Sequence, residues 1–130
     1  MDGLKEENFV KSFIKKDKRE RLLYELSSPK KREQAIQKIA GSVNDKCIVF
    51  SGSTTESQLN SMVAEIIGKN CQCYVISDGE DDGNVLPFDE AFAHLCEWGG
   101  AYVLLCGTTV AVVKEEYVSG PFFATVLKNL

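Results

Sequence analysis

Residues 101–114 read AYVLLCGTTVAVVK, two apolar runs of strand length separated by Gly107-Thr108, with glycine where a type II′ hairpin places it. This stretch decides the fold class, because helical periodicity stops at Gly99-Gly100 and a third β-rich run, FFATVL at 122–127, follows. Moving back along the chain, helix and strand patterns alternate. Phe88, Ala91, Phe92 and Leu95 share one helical face; CQCYVIS at 71–77 is a strand; Leu59, Met62, Val63, Ile66 and Ile67 form a second helical stripe; CIVF at 47–50 is another strand. The turn SGS follows CIVF, the spacing from Ser53 to Glu56 fits a capping box, and Gly68 closes the helix. Strands alternating with helices predict that 47–50 and 71–76 pair in parallel through a crossover helix. The C-terminal hairpin adds antiparallel edges.

The first 41 residues have a different character. Leu4, Phe9, Val10, Phe13 and Ile14 recur at helical spacing, as do Leu22, Leu23 and Leu26, and then Ala35, Ile36, Ile39 and Ala40. Asp17 with Glu20, Ser28-Pro29 and Gly41 supply capping signals between these stripes. The expected architecture is therefore α/β (mixed α+β): about three N-terminal helices at 1–41, then β-α-β-α-β-β-β over 42–130 forming one mixed sheet. A chain of 130 residues suffices for a single domain with a real core.

Composition narrows the function classes. The chain is 44% hydrophobic and 26% charged, and no apolar run approaches the roughly 18 residues that span a bilayer. No membrane association is expected, and the opening MDGLKEENFV lacks the order of a secretory signal, which predicts a cytoplasmic protein. Cys47, Cys71, Cys73, Cys96 and Cys106 sit in apolar runs and are expected to be reduced core thiols. Residues 1–46 carry twelve Lys/Arg against eight Asp/Glu, a balance of +4, whereas residues 47–130 carry three against eleven, a balance of −8. Such asymmetry reports on partners rather than on fold. The basic run KKDKRER has a single aromatic, Tyr24, nearby and is expected to be a solvated helix face, with no nucleic-acid role.

The acidic counterpart is DGEDDGN at 78–84, four carboxylates within five residues. Asp78, Glu80, Asp82, Gly83, Val85 and Asp89 fall at positions 1, 3, 5, 6, 8 and 12 of a calcium loop. A Glu at position 3, an Asp at 12 and Pro87 at 10 spoil that match, so a solvated, protein-facing loop is expected instead. Ser51-Gly52-Ser53-Thr54-Thr55 precedes a helix and could attract phosphate, but it has one glycine and no following lysine. The sole histidine, His94, lies off its helix's apolar stripe between Glu90 and Glu97, where an exposed ion pair is expected rather than catalysis. Cys71 and Cys73 share a strand face without a second cysteine pair, and no metal site or cofactor is expected.

In layout and electrostatics over its full length, the chain resembles the small immunity proteins of bacterial polymorphic-toxin and contact-dependent growth inhibition systems. That resemblance implies a cytoplasmic antidote occluding the active site of a cognate protein toxin, commonly a basic nuclease. The contact residues then expected are Asp78, Glu80, Asp81, Asp82, Glu115 and Glu116, with Trp98 as an anchor. The alternatives are a calcium- or phosphate-binding α/β regulatory domain and a small hydrolase built on His94.

Overall fold

The computed structural model describes residues 2–68, 70–117 and 121–129. Three helices come first: α1 (Gly3–Phe13), α2 (Arg19–Ser27) and α3 (Arg32–Lys38). Then follow β1 (Ile48–Thr54), α4 (Glu56–Ile67), β2 (Gln72–Ser77), β3 (Val85–Pro87), α5 (Phe88–Glu97), β4 (Tyr102–Cys106), β5 (Val110–Lys114) and β6 (Phe122–Lys128). The six strands form one sheet in the order β1-β6-β5-β4-β2-β3. The N-terminal helices cover one face of it, burying Phe9, Val10, Phe13, Ile14, Leu22, Leu26, Ala35, Ile36 and Ile39 against Tyr74, Ile76, Val103, Leu105, Ala111, Val113 and Leu127. Helices α4 and α5 cover the other face, setting Leu59, Val63, Phe88, Ala91, Phe92 and Leu95 on Cys73, Val75, Leu104, Cys106, Val112, Ala124 and Val126. The result is three layers with the sheet in the middle, each large buried side chain contributing about 1.5–3 kcal/mol.

The mixed α/β class and the N-terminal helical layer are as the sequence predicts, but the parallel pair is not. Every neighbouring pair in the sheet is antiparallel, and β1 pairs with β6 while β2 lies between β4 and β3. Strands β1 and β2 point the same way, yet β6, β5 and β4 lie between them, so α4 carries the chain roughly 19 Å across the sheet. The error has a physical source. Helices on both faces bury Cys73–Ser77 of β2, so this strand reads as a continuous apolar run of the kind usually seen in parallel sheets although both its neighbours are antiparallel.

Local signals were partly displaced as well. Ser51-Gly52-Ser53 is strand rather than turn, with Ser51 opposite Thr125 and their hydroxyls 3.0 Å apart. The capping box of α4 lies two residues later, formed by Thr55 and Gln58. Gly68 does close that helix, at φ 72°. Helices α2 and α3 lack side-chain caps, the Ser28 carbonyl instead accepting from the amides of Lys31 and Arg32, and Leu4 faces solvent. The β4–β5 turn holds three residues, since Cys106 pairs with Val110, and Gly107 takes φ +65° there. Strand β3, which the sequence analysis lacks, makes the acidic stretch the loop of a β2–β3 hairpin.

Candidate functional site

The 78–84 loop leaves β2 after Ser77 and returns at Val85, directly before α5 begins at Phe88. This puts the loop beside the end of α5 and the start of β4. Its carboxylates are mostly engaged within the protein, which corrects the expectation of a solvated loop. Asp82 lies deepest, accepting from Arg32 Nε at 2.7 Å, from a second Arg32 nitrogen at 2.9 Å and from the Ser77 amide at 3.1 Å. The other side of the Arg32 guanidinium meets Glu6 through two 2.7 Å bonds and the Leu26 carbonyl at 2.9 Å. All five guanidinium N–H groups are thus used, as burial of an arginine requires. Tyr74 donates to Glu6 at 2.6 Å, and burial together with that bond pushes the Tyr74 hydroxyl up to about 12. The cluster ties α1 and α3 to the acidic loop across the rim of the sheet.

Asp81 accepts from the Tyr102 hydroxyl at 2.7 Å and lies 2.8 Å from His94 Nδ1. Burial, then the bond to Asp81, raises the Tyr102 pKa well above the ordinary tyrosine value. His94 therefore pairs with Asp81 rather than with Glu90 or Glu97. Asp78 accepts from Trp98 Nε1 at 2.6 Å. Two glycines make room for that contact: a Cβ on Gly100 would lie 2.5 Å from Asp78 Oδ1, and one on Gly79 would lie 2.8 Å from the indole ring.

The Trp98 turn is also held from beneath. Lys114, fully buried at the end of β5, donates at 2.6 Å to the carbonyls of both Trp98 and Gly100 and lies 4.6 Å from the Tyr117 ring centre. Tyr117 in turn donates to the Cys96 carbonyl at 2.7 Å. Burial pulls the Lys114 ammonium down to about 8, against the opposing pull of Asp78, and the carbonyl bonds favour its charged form.

Ser77, Asp78, Gly79, Glu80, Asp81, His94, Glu97, Trp98 and Tyr102 line one open cleft of about 690 Å³. Of the residues expected at a protein contact, Asp78, Glu80, Asp81 and Trp98 meet here. Asp82 sits behind the cleft in the ion cluster, and Glu115 and Glu116 line a separate hollow of about 190 Å³ with Ile36, Gln37, Ala40 and Val113. Glu80 and Glu97 are exposed, and the Trp98 ring is partly so. The residues sequence reasoning missed are Arg32, Tyr102 and Lys114. Only Lys114 left a trace, as a lone cation ending an otherwise apolar strand.

The calcium reading loses two of its ligands, since Asp78 already serves Trp98 and Asp82 serves Arg32. The phosphate reading loses its loop, because Ser51–Thr54 belongs to β1. A further group of side chains converges on the face of β2 that α4 and α5 cover, where Cys71, Cys73 and Cys106 bring their sulfurs within 4.8 Å of one another. All five cysteines are free thiols. Among the described residues no helix is long and apolar enough to cross a membrane. Compared with models of protein families, with curated proteins and with solved structures, the chain matches none.

Proposed function

We propose that the chain is a protein-binding antidote, an immunity protein of the toxin-neutralising kind, that docks a basic segment of its toxin in the cleft around Trp98. The observation that carries this reading is the state of the cleft: two of its four carboxylates are held by fixed partners before anything binds. Asp78 is anchored on Trp98 and Asp81 on His94 and Tyr102, while Glu80 and Glu97 are exposed. A preorganised acidic cleft meets a cationic partner without the ordering cost that mobile side chains carry. Its field also accelerates encounter with a basic surface, and a partly exposed tryptophan at the centre supplies the apolar anchor typical of binding hot spots. The −8 balance of residues 47–130 supports the same choice of partner. A cytoplasmic setting is part of this proposal.

The test is co-expression with the toxin domain encoded by the neighbouring reading frame. The wild-type chain is expected to restore growth and to form a stoichiometric complex. Trp98→Ala combined with Glu80→Gln and Glu97→Gln is expected to abolish rescue while keeping the wild-type far-ultraviolet spectrum. Rescue by a folded triple variant equal to wild type would refute the assignment of the cleft.

A further inference from the structure

The two cysteines of the CQC run do have a partner, supplied by the sheet rather than by a second sequence motif. Cys73 in β2 lies directly opposite Cys106 in β4, with their sulfurs 3.2 Å apart. Cys71, two residues before Cys73, projects to the same face by the two-residue period of an extended chain. Cys73 and Cys106 are completely buried and Cys71 is half-buried. Nothing in core packing requires this convergence. Elsewhere on the same face the sheet presents Val75, Leu104, Val110 and Val112, aliphatic side chains that fill the layer under α4 and α5 without meeting at a point.

We propose that Cys71, Cys73 and Cys106 form a zinc site, with three thiolate ligands and a water molecule in the fourth position on the side of Cys71. Three sulfurs at about 2.3 Å from a tetrahedral zinc ion lie roughly 3.8 Å from one another. The sulfurs already fall between 3.2 Å and 4.8 Å apart, so side-chain adjustments of about an ångström or less close the site. An all-sulfur set excludes magnesium, calcium and manganese, which take oxygen ligands. Between the thiophilic ions, charge decides. Three thiolates around Zn(II) leave a net charge of −1, whereas around Cu(I) they leave −2, and the surrounding layer is apolar, where each uncompensated charge is expensive. The half-buried Cys71 provides the way in. Binding replaces three S–H bonds by three Zn–S bonds and releases three protons to solvent, with no electron transfer.

Cobalt(II) titrated into the fully reduced chain is the probe, read by its thiolate-to-metal charge-transfer absorption and displaced by zinc. One metal ion per chain is expected, with three protons released. Cys71→Ser, Cys73→Ala and Cys106→Ala are each expected to weaken binding by more than about a hundredfold, since even outer-shell changes cost ten- to a hundredfold. Cys47→Ser and Cys96→Ser are expected to leave it unchanged. Because the buried variants risk misfolding, Cys71→Ser is the decisive one. A folded Cys71→Ser chain with wild-type affinity, or a reduced wild-type chain without a charge-transfer band, would overturn the site. A second measurement is the rate at which Cys71 reacts with an alkylating reagent. Zinc is expected to suppress it, and an unchanged rate at saturating zinc would also overturn the assignment.

Discussion

Replacing Arg32 by methionine keeps a chain of similar length and removes all five N–H donors from the rim cluster. Glu6 and Asp82, with side chains only 6% and 13% exposed, are left facing one another without their shared cation. Breaking a buried pair in this way costs about 3–5 kcal/mol, because the remaining charge has neither water nor a partner. Set against a typical stability of about 5–15 kcal/mol, the loss is large. For a urea dependence of about 2 kcal/mol per molar, it moves the unfolding midpoint down by roughly 2 M. Asp82→Asn is milder, at about 2–3 kcal/mol, since Arg32 keeps both bonds to Glu6 and the one to the Leu26 carbonyl. Glu80→Gln, on the same loop but exposed, stays within about 0.5 kcal/mol. Replacing Glu6, Arg32 and Asp82 together by apolar residues of matched volume recovers most of the loss, because the desolvation cost disappears with the charges. Urea titrations followed by circular dichroism measure all four. If Asp82→Asn and Glu80→Gln prove indistinguishable, the loop is a solvated turn after all and the reasoning from the ion cluster fails.

Lys114 supplies a pH test: its folded value near 8 lies below the ordinary 10.5, so on acidification the unfolded chain takes up the proton first. Its contribution to stability is therefore lowest below pH 8 and rises as pH increases from 8 to 10.5. The unfolding free energy of the wild type relative to Lys114→Met should climb by about 3 kcal/mol across that window, with Asp78, Cys96 and Glu116 as the neighbours that oppose the shift. A difference that does not vary with pH would refute it. Gly100→Ala drives a methyl group into the Asp78–Trp98 hydrogen bond, and because Trp98 is the only tryptophan its emission reports the event. A red shift is expected, and an unchanged spectrum would show that the glycine is not what seats the indole.

By itself the sequence determined the helices and the central strands, because each depends on local periodicity and apolar content. The stripes of α1, α4 and α5 and the hairpin at 101–114 needed no distant partner to be recognised. Strand order was decided only in the tertiary structure. An apolar run such as CIVF pairs equally well with any neighbour of like burial, and its choice of β6 over β2 depends on the whole sheet closing without unpaired backbone. The same limit governed the candidate sites. DGEDDGN announced its charge, but the fate of that charge rested on Arg32, fifty residues before Asp82 in the chain, on Trp98 at the end of α5 and on Tyr102 at the start of β4. The CQC run announced two thiols, and the third arrived through the β2–β4 register alone. Carboxylates and sulfurs act over a few ångströms, so their chemistry belongs to whatever the fold brings within that distance, and that is what sequence spacing does not encode.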